Sequence, residues 1–195
     1  MASDRVRDAH APARAHPPFH HKSLALTADH PNVARVRAHA TERGADLSVK
    51  RFAATTRTAE DAAHEIGTQV ERIVKSLVFV SGGEPIVVLC SGRARVDENL
   101  LAVALGAPSV RRATADEAKT FTGYAIGGVP PFAHERRCRV IADEGLLSFD
   151  EVWAAAGLPD AVFPISPQEL VRIADAEVAR VARLPGAPAP SSENR

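Results

Sequence analysis

The sequence predicts an α/β domain built on a mixed, largely antiparallel central sheet with helices packed around it. Short apolar segments at 47–52, 73–80, 85–90, 109–112, 138–141, 162–165 and 178–181 have the length and residue types of strands. Two of them, Ile73-Val74-Lys75-Ser76-Leu77-Val78-Phe79-Val80 and Ile86-Val87-Val88-Leu89, show no clean alternation, as expected of central strands covered on both faces. Between these two, Ser81-Gly82-Gly83-Glu84 reads as a hairpin that pairs them antiparallel, so the chain is not a regular βαβ winding. No internal repeat is visible.

The helices are read from their caps. Asp29-His30-Pro31 opens the first, with Pro31 in the first turn, Val33, Val36 and Ala40 at helical spacing, and Gly44 as the stop. Thr58-Ala59-Glu60-Asp61 resembles a capping box, followed by Ala62, Ala63 and Ile66 as the buried face and Gly67 as the end. Asp97 opens a helix carrying Leu100, Leu101, Ala104 and Leu105, closed by Gly106. Thr114-Ala115-Asp116-Glu117 and Ser166-Pro167-Gln168-Glu169 read the same way, with Ala118 and Phe121, then Leu170 and Ile173, turned inward. By the same rule Ser148-Phe149-Asp150-Glu151 predicts a helix with Val152, Trp153 and Ala156 inward and Gly157 closing.

One domain is expected over 29–184, since domains commonly hold roughly 100–200 residues. A core of that size needs no disulfide or metal staple. Residues 1–28, rich in Ala, His, Pro and Arg, and 185–195, opening Pro-Gly-Ala-Pro-Ala-Pro, are expected to be disordered tails. His16, His20 and His21 in the first tail are read as no specific metal site. Cys90 and Cys138 fall in expected strands and are read as buried free thiols of a reducing compartment. Lys plus Arg and Asp plus Glu number 24 each, so no global basic field is available to grip long nucleic acid. No apolar run approaches the roughly 20 residues of a membrane span. The N-terminus lacks the hydrophobic centre of a secretory signal, and a soluble cytoplasmic protein is the expectation.

Phosphate-loop, dinucleotide-binding, His-Glu-x-x-His and Gly-x-Ser-x-Gly motifs are all missing, which argues against a nucleotide-dependent enzyme, a zinc hydrolase and a serine esterase. What remains is Lys75 inside an apolar strand, and the loop Gly123-Tyr124-Ala125-Ile126-Gly127-Gly128-Val129-Pro130-Pro131. A lysine so placed either snorkels or points into a cleft. The expectation is a cleft, with Lys75 at its floor and the loop facing it. Glycines at 127 and 128 bring bare amides close to a ligand, where they can bind an anion or a polarised carbonyl. His134 is a candidate donor to a ligand. Asp143 is read as a turn cap, and the arginines at 93, 95, 111, 112, 136, 137 and 139 as solvated faces or phosphate contacts.

Taken together, the segments 58–63, 73–79 and 123–131, then Asp150-Glu151-Val152-Trp153-Ala154-Ala155-Ala156-Gly157 and Phe163-Pro164-Ile165-Ser166-Pro167-Gln168-Glu169-Leu170, resemble the YbaK/ProX family. These are free-standing relatives of the editing domain inserted in bacterial prolyl-tRNA synthetase. The likeness spans roughly 30–183. It implies an editing-domain fold and hydrolysis of the ester between a wrong amino acid and its tRNA. The family's lysine in Val-Lys-Ser matches Lys75 and its substrate loop matches Gly127 and Gly128, which gives the expected catalytic set. Ser76, Phe52, Gly123, Tyr124, Val129, Pro130 and His134 are assigned to substrate binding. Relatives often carry Gly-Val-Ser-Pro in the loop; Pro130 stands at that Ser, so a hydroxyl contact of some relatives is missing here. With His134 following, the loop looks more like the branch that clears tRNA(Pro) of Ala or 2-aminobutyrate than the Cys-clearing branch.

The expected activity is therefore a trans-editing aminoacyl-tRNA deacylase without metal or cofactor. Its partners would be the acceptor end of a mischarged tRNA, with prolyl-tRNA synthetase or an elongation factor beside it, and neither membrane nor DNA. An aminoacyl ester is already activated, so loop amides and a cationic Lys75 suffice while water attacks. Two other readings stand: a non-catalytic module that binds a tRNA end or aminoacyl group, and a small-molecule esterase indifferent to salt.

Overall fold

The computed structural model describes residues 29–52 and 58–186. The His16, His20 and His21 cluster and most of both expected tails lie outside the described residues. A five-stranded mixed sheet forms the centre. Its longest strands, β2 (Val74–Ser81) and β3 (Glu84–Ser91), pair antiparallel through the expected hairpin, from Val74 opposite Ser91 to Ser81 opposite Glu84. The short β5 (Arg111–Arg112) adds antiparallel to β2, while β6 (Arg139–Asp143) and β9 (Glu177–Ala179) add parallel beyond β3. The order is β5-β2-β3-β6-β9.

A second, antiparallel sheet has the order β1-β8-β7, from β1 (Lys50–Arg51), β8 (Ala161–Ile165) and β7 (Val152–Leu158). A two-stranded ribbon joins β4 (Arg95–Val96) to β10 (Ala182–Arg183). Two-residue strands such as these carry no period and are set by tertiary pairing, which is why β4 and β10 were not expected from the sequence. β1 keeps only two of the residues expected at 47–52.

The expected helices form with their caps, at α1 (Pro31–Glu42), α2 (Ala59–Ile66), α3 (Glu98–Leu105), α4 (Ala115–Thr122) and α5 (Pro167–Ala174). Thr58 and Thr114 make complete capping boxes with Asp61 and Glu117. Ser166 caps α5 alone, because Glu169 turns to Arg172 instead. The helix expected after Ser148 is a correction. Residues 152–158 are β7, and Ser148 Oγ donates to the Gly145 carbonyl inside a 3₁₀ turn. Val152 and Trp153 favour a strand, and pairing with β8 decides for the neutral alanines that follow.

Alternation along β2, β3 and β6 divides the core. Val74, Val78, Val87, Leu89, Val140 and Ala142 face one layer, with Phe163 and Ala154 of the second sheet, Val33 and Val36 of α1, and Leu170 and Ile173 of α5. Phe79, Ile86, Val88 and Ile141 face the other, with Leu101 of α3 and Val181. Asp143, buried at the end of β6, accepts from the amides of Gly145, Val181 and Ala182, the turn-capping role expected of it.

Candidate functional site

β5 covers β2 only at Phe79 and Val80, so among the described residues no strand pairs with the flank of β2 from Val74 to Leu77, and just before it Ile73 bridges to Trp153. The Ala113 amide donates to the Val78 carbonyl at 3.0 Å, which shows that Val78 turns its main chain toward that flank. Both main-chain groups of a residue in an antiparallel strand point the same way and alternate along it, so those of Ser76 point to the open flank as well.

A cavity of about 270 Å³ lies along this flank. Lys75, Ser76, Ile126, Gly127 and Val129 line it, opposite an apolar wall of Trp153, Ala155, Leu158 and Val162, with Arg112 among the lining residues. That volume is near the low end for small-molecule sites and suits a small group. The Ser76 hydroxyl is buried and has no hydrogen-bond partner among the described residues. Cross-strand neighbours share a face, so Ser76, opposite Leu89, lies on the face where Val74, Val78 and the loop's Val129 pack. Lys75, opposite Cys90, lies on the other face. Its ammonium donates to the Ala94 carbonyl at 2.5 Å. Lysine and glycine loop thus share one cavity, but it wraps around a strand flank, and Ser76 rather than Lys75 has its side chain on the loop's face.

The loop's other residues frame this arrangement. Gly127 is exposed, with φ +89°. Gly128 is buried against the Leu158 backbone, where a Cβ would come within 2.9 Å of the Leu158 carbonyl carbon and Cα. Gly123 ends α4 in the left-handed conformation. Tyr124 is fully buried, its hydroxyl donating to the Ala133 carbonyl at 3.0 Å, and burial pushes the phenol up so that it keeps its proton. Pro130 is buried, and its carbonyl lies 2.9 Å from His134 Nε2. Burial pulls the His134 imidazole down to about 4, so it is neutral at pH 7. His134 lines a separate cavity of about 580 Å³ with His39, Arg136 and Arg137, not the one at β2. Phe52 packs behind the apolar wall with Ile73, Trp153 and Val162.

Sequence reasoning missed Trp153 and Arg112 as lining residues. Trp153 was hidden by the mistaken helix, although it is the chain's single tryptophan, and the Lys50 ammonium sits 4.6 Å from its ring centre. Among the described residues no carboxylate, imidazole or thiol lines the cavity. Burial pushes both cysteine thiols up to about 11, and both are free; Cys90 is buried in β3 as expected, whereas Cys138 stands just before β6 and is only half-buried. The described residues form no metal-binding cluster and contain no helix long and apolar enough to cross a membrane. The arrangement provides a hydroxyl, main-chain groups and two cations around a small apolar pocket. It can hold a polarised carbonyl next to an anion and leaves the nucleophile to water.

Comparison with known proteins adds a family to this geometry. The model of the aminoacyl-tRNA editing domain matches residues 53–173. The uncharacterized protein YwhH of Bacillus subtilis (strain 168) is 32% identical over 136 residues, covering 69% of this chain and 86% of that protein. Proline--tRNA ligase of Ligilactobacillus salivarius is 34% identical over 95 residues, which are 47% of this chain but 17% of the ligase. The crystal structure of a candidate trans-editing enzyme for prolyl tRNA synthetase is 41% identical, with a TM-score of 0.75 over 80% of this chain and 99% of that one. The hypothetical protein APE2540 follows at 33% identity and a TM-score of 0.72, over 76% of this chain and 99% of that one.

Proposed function

The chain belongs to the aminoacyl-tRNA editing domain family, and from that premise we propose that it is a trans-editing aminoacyl-tRNA deacylase. It hydrolyses the ester of a small amino acid (Ala, 2-aminobutyrate or Cys) wrongly attached to tRNA(Pro). The observation that carries this reading is the single small cavity in which Lys75, the unpartnered Ser76 hydroxyl and the Gly127 loop meet at an open strand flank, inside the matched residues. The side chain of the amino acid enters between Val129 and the Trp153 wall, where size alone rejects larger residues. Ser76 and the Gly127 amide hold the ester carbonyl as charge develops on it. Lys75 and Arg112 meet the terminal phosphate. Gly123, Tyr124, Gly128 and Pro130 shape the loop, with His134 holding the Pro130 carbonyl from behind, and Phe52 backs the pocket wall. Water attacks, in the cytoplasm, with the tRNA acceptor end as partner and the synthetase or an elongation factor as its source.

A panel of mischarged tRNAs tests this. The wild-type protein is expected to release one or a few small amino acids, and Lys75→Ala to lower kcat/KM roughly 10- to 100-fold, the worth of a charge-assisted hydrogen bond to the terminal phosphate. The same variant is expected to keep its far-UV circular dichroism. Full turnover by Lys75→Ala rejects the role given to that residue. A wild-type protein that releases nothing from any member of the panel rejects the deacylase reading.

The absence of a carboxylate, imidazole or thiol among the cavity's described lining residues favours a second reading, a non-catalytic module that binds an aminoacyl end. It predicts saturable tRNA binding with no hydrolysis.

A further inference from the structure

The cavity's glycine loop is held from outside the matched residues, by α1. Arg35 Nε donates to the Tyr124 hydroxyl at 2.7 Å, and its guanidinium lies 4.2 Å from the centre of the same ring. The hydroxyl passes the contact on to the Ala133 carbonyl at 3.0 Å. Tyr124 opens the loop and Ala133, held at φ +64°, closes it, so one phenol ties the two ends together around residues 125–132. One turn back on α1, Asn32 Nδ2 donates to the Gly157 carbonyl at 3.1 Å. Gly157, at φ +93°, leaves no room for a Cβ between Tyr124 and the Asn32 backbone. It sits where the pairing of β7 with β8 shifts register, next to Leu158, which lines the cavity and carries Gly128. Both sides of the cavity mouth are therefore fastened to one helix face.

Neither Arg35 nor Tyr124 lines the cavity. We propose that Arg35 and Tyr124 are positioning residues of the editing reaction, a tie that holds the loop so that Gly127 and Val129 stand at the substrate. This rests on the deacylase reading above. A displacement of about 1 Å at a reacting centre can lose on the order of 10² in rate, so the tie acts on kcat. Substrate capture by the cationic residues is left largely intact.

The test uses the full chain with Tyr124→Phe, Arg35→Met and Arg35→Lys, below the temperature at which any of them unfolds. Tyr124→Phe and Arg35→Met are expected to lower kcat for the mischarged tRNA at least tenfold with KM changed less than threefold. Arg35→Lys is expected to recover part of the loss. Amide exchange supplies a readout apart from activity. The Gly128 amide, which donates to the Ala125 carbonyl at 3.0 Å, is expected to exchange faster in both damaging variants while β3 amides keep their protection. Wild-type kcat together with wild-type Gly128 exchange in folded Tyr124→Phe overturns the tie. Equal loss of protection across β3 overturns it too, by showing general destabilisation. Faster Gly128 exchange in the variants of a protein that hydrolyses nothing supports the tie and rejects the deacylase reading, which keeps the two failures apart.

Discussion

Ser76 carries a buried hydroxyl without a hydrogen-bond partner among the described residues. A buried hydroxyl with no hydrogen bond loses its hydration and receives nothing in return. Removing it therefore does not weaken the fold. Ser76→Ala is expected to leave the stability in urea unchanged or raise it by up to about 1 kcal/mol, while deacylation slows roughly tenfold, the worth of one hydrogen bond at the substrate. A clear loss of stability would mean the hydroxyl has a structural partner, and an unchanged rate would mean it never meets the ester. Lys75 differs, because its ammonium already has the Ala94 carbonyl. That Lys75 and Ser76 lie beside the glycine loop was legible, but the face each takes was not. A run that is apolar on both sides gives no parity by which to orient it, and only the pairing with Cys90 and Leu89 decides.

At the scale of elements, what could be read from the sequence is what is fixed locally. The boxes at Thr58 and Thr114 close within four residues, and both were legible from their spelling. β7 was not, since Ser148-Phe149-Asp150-Glu151 spells a box while the strand depends on β8, which follows it. The close approach of Gly128 to Leu158 joins loop and strand in a way no local rule reports. Gly128→Ala puts a methyl group against backbone that cannot swing aside. It is expected to destabilise by about 1–3 kcal/mol, the usual cost of overpacking, and to slow deacylation by moving Gly127. Denaturant midpoints and single-turnover rates check both; a variant that matches wild type in both would show that the loop yields freely.

For the whole molecule, pH acts through His134. The unfolded imidazole takes a proton below about 6.5, whereas burial delays this in the folded state to about 4. The unfolded chain therefore binds more protons between these values, and the contribution is full above pH 6.5 and lost as pH falls toward 4. A shift of this size is worth on the order of 3 kcal/mol. His39 and Arg35, whose charges also disfavour protonation, add to the effect. Between pH 7 and pH 5, which lies above the carboxylate range, wild type is expected to lose stability that His134→Gln does not. Parallel pH profiles of the two proteins would contradict this. His134 was read from the sequence as a ligand donor; its place under Pro130 depends on how the loop folds over α1, which spacing along the chain does not encode.

An unzipped strand flank is a hazard as well as an opportunity, because foreign strands add to such seams and start aggregates. Here the unpaired length runs only from Val74 to Leu77 among the described residues, and the Trp153 wall and the glycine loop narrow the approach to it. A guest the size of one residue fits; a neighbouring chain does not. Trimming the loop to widen the range of accepted guests would also remove this shield, so variants made that way should be watched first for loss of solubility.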